Sequence, residues 1–292
     1  MRTIAVLFTC FNRKDKTLSA LKSVFDAHNL VKDTITIKVY LTDDGSTDGT
    51  GDAVRSIYPE VNVLQGNGQL YWAGGMRNSW KAALTNQYDA YLLLNDDTDV
   101  NNTLFEELVK THTYCINTYQ QGGLYIGSTI DELTQNLSYG GYVFTNKFLA
   151  KYKKVIPNEK HPQECELGNA NILLAHKDAV EKIGMLSEGY AHGMADFDYT
   201  LKAKKSKVPV LITTNVLGTC TNDHTNPYLT FHQLPLKERI KKLYHPVGLD
   251  FKSQLNYMKR NFLYRLPFVY IAGWLKVLFP KFYFNKMYKN RL

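Results

Sequence analysis

Three groups of carboxylates carry most of the chemistry this chain could do. LTDDGSTDGT places Asp43 and Asp44 at the end of an apolar run, LLLNDDTDV crowds Asp96, Asp97 and Asp99 after another, and ADFDYTLKA sets Asp196 and Asp198 two residues apart. Asp96, Asp97 and Asp99 repel one another unless something positive sits among them. A divalent cation carrying a phosphorylated ligand meets that need, and so does a solvated acidic turn ahead of a helix beginning near Thr103. Asp43 and Asp44 suit a nucleobase edge or ribose hydroxyls, or the capping of the next helix by Asp44 or Ser46. Either Asp196 or Asp198 can take a proton from an attacking hydroxyl, or simply complement a helix dipole. Their spacing lets only one point squarely into a crevice.

The elements needed to position these groups are legible in the hydrophobic pattern. Residues 3–9, 35–41, 61–64 and 89–94 read as buried strands, and helical spacing follows each, as in Leu18, Leu21, Val24 and Phe25. Residues 75–86 and 103–119 also read as helices. This alternation predicts an α/β fold with a mostly parallel sheet and helices on both faces. The crevice at the strand ends is then lined by Thr9, Asp43, Asp44, Gly74, Arg77 and the Asp96 to Asp99 cluster. Beyond residue 119 the chain is rich in glycine and tyrosine and predicts a smaller mixed sheet with loops over the crevice. Regular structure returns in the strand and helix of ILLAHKDAVEKI, the helix starting near Asp196, and the strand at 208–217.

Charge is distributed unevenly. The formal net charge is +8, yet residues 251–292 hold nine Lys or Arg with no Asp or Glu, leaving 26 basic against 27 acidic residues elsewhere. The same tail carries twelve aromatics. It reads as a helical segment lying on an anionic membrane surface, or as a subdomain packed on the body or forming a homodimer interface. Nothing in it resembles a nucleic-acid reader, so no nucleic acid is expected. Cys10, Cys115, Cys165 and Cys220 are scattered without a CxxC pair, which suits reduced thiols in a cytoplasmic setting. The first residues read as a strand rather than a signal peptide, and no apolar run reaches the roughly 20 residues of a membrane span.

Taken together and in order, these segments resemble glycosyltransferase family 2, the inverting nucleotide-sugar transferases of the GT-A fold. LFTCFNR looks like the family's first strand and turn, LTDDGSTDGT like its nucleoside-binding turn, LLLNDDTDV like its metal motif, and HGMADFDYTLKAKK like the segment supplying the base. GNGQLYWAGGMRNSW is similar to a loop in the branch that builds bacterial surface polysaccharides, including rhamnosyltransferases. The resemblance implies a catalytic domain at 1–235, with a nucleotide-sugar half at 1–100 and an acceptor half at 101–235, followed by the tail at 236–292.

The resemblance also implies roles for individual residues. Thr9, Asn12, Asp43, Asp44, Gly74, Arg77 and Asp96 would surround a UDP- or dTDP-sugar. Asp97 would ligate Mn²⁺ or Mg²⁺, with Asp99 and His224 as further ligands. Asp196 would be the base and Asp198 its rival, because Ala195 stands where the family has a glutamate. The acceptor would be a glycan hydroxyl, lipid-linked and met at the inner face of the membrane. A sugar nucleotidyltransferase is the nearest other enzyme, but that class needs a glycine-rich loop after its first strand, and TCFNR has no glycine. A degenerate nucleotide- or glycan-binding protein is the non-enzymatic alternative.

Overall fold

The computed structural model describes residues 1–221 and 230–288. β1 (Thr3–Cys10) lies between two helical layers. Its Ile4, Val6 and Phe8 pack with Ala20, Leu21 and Val24 of α1 (Lys14–Asn29), and its Ala5 and Leu7 share the opposite layer with Met76 and Trp80. β2 (Thr36–Asp43) pairs parallel with β1, and β3 (Asn62–Gln65), reached through α2 (Thr50–Ile57), pairs parallel with β2. α3 (Tyr71–Ala83) carries the chain back to β4 (Ala90–Leu94), which is wholly buried and pairs parallel with the other side of β1.

The helix predicted from Gly75 starts four residues earlier, at Tyr71. The cause is remote in sequence: the Asp44 carboxylate accepts the Leu70 and Tyr71 N–H groups at 2.9 and 2.8 Å. It serves as a cap reaching over from the loop after β2, which no local pattern could show.

The second half adds β5 (Asp99–Val100), α4 (Leu104–Tyr119) and β6 (Leu124–Ile130), then the short strands β7 (Gly141–Asn146), β8 (Lys151–Lys154), β9 (Gln163–Glu164) and β10 (Leu167–Gly168). β11 (Ile172–His176), α5 (Lys177–Ile183), α6 (Ala195–Lys205) and β12 (Val210–Thr219) complete it. Among the described residues the main sheet has nine strands in the order β3-β2-β1-β4-β11-β6-β12-β5, with β9 also on β12. β11 runs antiparallel between β4 and β6, and β12 returns parallel to β6. The smaller sheet, β10-β7-β8, is wholly antiparallel rather than mixed. The link between β7 and β8 is far too short for the crossover that parallel neighbours need.

The tail is less separate than its composition suggests. After α7 (Leu236–Tyr244), α8 (Phe251–Asn261) places Tyr257 in one apolar cluster with Ala195, Phe197 and Leu201 of α6. Its Arg260 Nε sits 3.1 Å from Asp198, and Ser253 Oγ accepts the Ala191 N–H at 3.2 Å. α9 (Leu266–Leu278) packs Val277 with Phe251 but leaves Phe268, Ile271 and Leu278 exposed, with Phe279 and Phe282 following. Among the described residues all four cysteines are free and buried, and no helix is long and apolar enough to cross a membrane.

Candidate active site

The acidic groups meet along the carboxyl ends of the parallel strands. Each parallel strand ends where its apolar run does, so the polar residues that follow share one edge of the sheet. The first unpredicted member is Arg13, in the turn after β1. Its Nη1 lies 2.5 Å from Asp97 Oδ2 and 3.4 Å from Asp96 Oδ1. The positive partner that the crowded carboxylates need is therefore already a guanidinium. Burial pushes the Asp96 carboxyl up to about 7, opposed by Arg13 and reinforced by Asp97.

Asp99 does not join them. Its side chain is exposed and accepts the Ser19 hydroxyl at 3.0 Å, because β5 carries it toward α1. The expected three-carboxylate cluster is thereby corrected to a pair. Among the described residues no group of three or more His, Cys, Asp or Glu could hold a metal. His224, expected to complete the set, lies outside the described residues.

Several residues expected to hold the nucleotide also build the crevice. Asn12, in left-handed backbone at φ 51°, accepts the Thr47 N–H at 2.7 Å and donates its own N–H to Ser46 Oγ at 2.9 Å. It ties the first two strand-end loops together. Asp44 is engaged by three amides, those of Gly68, Leu70 and Tyr71, and so shapes the GNGQLYW loop; Gly68 takes its left-handed turn at φ 79°. Asp43 accepts the Ser46 N–H at 2.8 Å. Thr9 faces Gly75, whose missing side chain lets α3 approach β1, while Gly74 packs on Leu70 one position along.

Arg77, expected at the nucleotide, meets the protein's own backbone in this structure. Its Nη1 and Nη2 donate to the Ser187 and Tyr190 carbonyls at 3.1 and 3.0 Å, and its Nε pairs with Glu188 at 3.3 Å. With every arm of the guanidinium engaged and the side chain buried, it braces the 187–190 loop rather than reaching a diphosphate.

Asp196 and Asp198 are separated as their spacing requires. Asp198 is 1% exposed and held by Arg260 and, at 2.8 Å, Asn261 of α8. Burial, and after it the Asp198 carboxylate, push the Tyr190 hydroxyl up. It is a strut between α6 and α8, which corrects its expected rivalry for the base. Asp196 stands at the start of α6, after the left-handed Met194 (φ 68°). Its Oδ2 accepts from Asn169 Nδ2 at 3.3 Å and the Ala170 N–H at 3.4 Å. Burial raises its carboxyl above the usual range, and these hydrogen bonds pull it partway back. Tyr142 in turn donates to Asn169 Oδ1 at 2.9 Å, so a small-sheet strand steadies the acid's partner.

The Asn169 to Asn171 segment joins the two acidic stations. Ala170 touches Asp196, the Asn171 carbonyl accepts the Asn95 N–H at 3.2 Å, and Asn171 Nδ2 contacts Cys220 Sγ, which lies 3.6 Å from Asp97 Oδ1. Trp72 closes the other side, donating to Asn95 Oδ1 at 2.8 Å. Of these residues, Arg13 and Trp72 fall inside LFTCFNR and GNGQLYWAGGMRNSW, but neither motif marks them as partners of the acids. Arg13, Trp72 and Cys220 reach the site through tertiary contacts alone.

A family model for glycosyl transferase family 2 matches residues 5–157. No curated protein sequence matches the chain. Among solved structures, TarS 1–349 from S. aureus is similar with a TM-score of 0.53 and 10% identity, covering 98% of this chain and 75% of that one. The mannosyltransferase PcManGT from Pyrobaculum calidifontis, in complex with GDP-Man and Mn²⁺, is similar with a TM-score of 0.53 and 13% identity, covering 96% and 71%. At such identity these likenesses speak for the fold, a GT-A-like α/β arrangement with a small antiparallel sheet and a helical C-terminal region. The family match spans more than half of the chain and includes the first two acidic stations, so the protein belongs to glycosyl transferase family 2.

Proposed function

We propose that the protein is a metal-dependent inverting glycosyltransferase that moves a sugar from a nucleotide-diphosphate donor to a hydroxyl of a lipid-linked glycan in bacterial surface polysaccharide synthesis. The observation that carries this reading is Asp196: a half-buried carboxylate steadied by Asn169 and Ala170, one short segment from the Asp96 and Asp97 pair. A carboxylate with a raised pKa is a stronger base when ionised, and here it can accept the proton of an acceptor hydroxyl. Attack from that side, opposite the departing diphosphate, inverts the anomeric centre. No side-chain nucleophile is required.

The acidic pair fits a divalent cation. Asp96 and Asp97 already share one positive group, Arg13, and Mg²⁺-type sites commonly use one or two carboxylates completed by substrate phosphates. Asp97 would hold the ion with Asp96 beside it. When bound, the cation offsets the charge developing on the nucleoside diphosphate. The Mn²⁺ and GDP-Man present with the Pyrobaculum enzyme support this chemistry and place GDP-sugars beside UDP- and dTDP-sugars as donors to test.

Melting curves with each donor, with and without Mn²⁺, test the assignment. A donor present at about 100 times its Kd stabilises the fold by about 2.7 kcal/mol. The expected result is a metal-dependent rise for one nucleotide class that Asp97→Asn abolishes and Asp99→Asn retains. An equal rise without metal, or in Asp97→Asn, would remove Asp97 from the metal site. Donor-dependent stabilisation with no turnover on any lipid-linked acceptor would favour a nucleotide-binding protein.

Peripheral attachment to the inner membrane face completes the proposal. Leu278, Phe279 and Phe282 form an exposed apolar edge beside Lys281. Replacing the three apolar residues with serine in the full chain is expected to abolish co-sedimentation with anionic liposomes. Unchanged sedimentation would sink the attachment.

A further inference from the structure

The loop at 187–193, which leads into the base, is held from two sides. On the α3 side Arg77 donates to the Ser187 and Tyr190 carbonyls, and the Ala73 N–H donates to the Ala191 carbonyl at 2.9 Å. On the α8 side Ser253 Oγ accepts the Ala191 N–H at 3.2 Å, and Asp250 Oδ2 accepts the N–H groups of His192 and Gly193 at 3.4 and 2.9 Å. The last two amides before Met194 therefore end on one carboxylate, contributed from 57 residues further along the chain.

Asp250 gives up a local role for this contact. It stands at the N-cap of α8 in left-handed backbone (φ 42°) and is buried, and among the described residues its carboxylate caps no amide of its own helix. An aspartate at that position ordinarily accepts the amides of the helix it starts. Here the carboxylate is spent on the 192–193 amides instead. A second left-handed residue, Met194 (φ 68°), follows them at once. Its carbonyl accepts the Asp198 N–H at 2.9 Å in the first turn of α6, and Asp196 lies inside that turn. Left-handed backbone at a methionine persists only where its surroundings fix it, and the two Asp250 hydrogen bonds do so directly ahead of the base.

We propose that Asp250 is a positioning residue: by holding the His192 and Gly193 amides it fixes the turn at Met194, and with it the placement of Asp196 against Asn169 and Ala170. α8 is thereby part of the active site rather than a tail docked behind it. The assignment rests on the reading of Asp196 as the base and adds to it the element that places it.

The test needs no substrate. Full-length protein carrying ¹³C at the aspartate carboxyl carbons is titrated by NMR, with Asp196→Asn identifying the Asp196 signal. In the parent that carboxyl is expected to titrate above the ordinary value of about 3.9, the direction in which burial moves it. Tyr142 and Tyr152 from the small sheet and Tyr257 from α8 feel its charge, and burial keeps all three hydroxyls neutral over this range. Asp250→Asn removes a charge but keeps an oxygen for the two amides, whereas Asp250→Ala removes both. Asp250→Ala is therefore expected to lower the Asp196 pKa below that in Asp250→Asn by at least about half a pH unit, roughly a threefold change in proton affinity, as the freed carboxyl returns to water. Ser253→Ala, which changes no charge and keeps a good helix former within α8, should lower it in the same direction by less, and it decides the matter should Asp250→Ala fail to fold. Equal values in Asp250→Ala and Asp250→Asn, or a rise in Asp250→Ala or Ser253→Ala, would overturn the positioning role. The parent separates the two failures. If its Asp196 titrates high while the variants match, only the role of Asp250 falls; if the parent signal itself sits at the ordinary value, the base reading falls with it.

Discussion

Asp196→Asn is expected to lower turnover by about 10²–10⁴-fold, the usual contribution of a positioned general base, with donor binding little changed. The substitution keeps the shape and most of the hydrogen bonds but cannot accept the proton. The pH dependence supplies the second readout. The group must be ionised to act, and burial raises its pKa above the 3.8 of a free carboxyl, so activity in the parent protein climbs with pH through that raised value. Asn169→Ala removes a hydrogen bond that favours the ionised form and should move the acidic limb to still higher pH, whereas Asp196→Asn should erase the limb. Turnover within tenfold of the parent in Asp196→Asn would end the assignment.

Arg260→Ala is expected to be the most damaging change in the C-terminal region. It leaves Asp198, 1% exposed, with Asn261 as its remaining side-chain hydrogen-bond donor. Breaking a buried ion pair from one side costs about 3–5 kcal/mol, and the lower end applies because the Arg260 side chain is 40% exposed and water can follow it. At about 2–4 °C per kcal/mol for a chain of this size class, the melting temperature should fall by about 6–12 °C. In Arg260→Ala/Asp198→Ala the loss should be less than the sum of the single losses, because the two groups share one interaction. A calorimetric scan showing less than 2 °C of change would mean that α8 is not braced through this pair. The same contact explains why the tail cannot be treated as an appendage that may be removed without consequence.

The strands and most helices were legible because burial on two faces leaves a plain signature. Leu92, Leu93 and Leu94 could hardly be anything but a central strand once four such runs alternated with helical spacing. The order of the acidic stations was legible for the same reason: polar residues follow each apolar run, and parallel strands bring all of their carboxyl ends to one edge. The local patterns failed where a side chain serves a remote element. Asp44 starts α3 early, Arg77 braces the 187–190 loop, and Asp198 meets α8 some sixty residues further on. Each of these is a charged group in a motif that also suits a ligand, and spacing alone cannot tell a ligand from a distant backbone amide.

The sequence by itself determined the α/β class, the parallel half of the sheet, the edge on which the chemistry must lie, and the separation of Asp196 from Asp198 by roughly half a helical turn. Those outcomes depend on periodicity and on the direction of the chain, both of which are local. Only the tertiary structure decided which carboxylates remain available. Arg13 folds onto Asp96 and Asp97, Ser19 takes Asp99, Arg260 takes Asp198, and Asn169 leaves Asp196 half-buried but steadied. A carboxylate in such a site is defined by its partner, and in this fold the partners come from other loops, the first helix or the last helices of the chain.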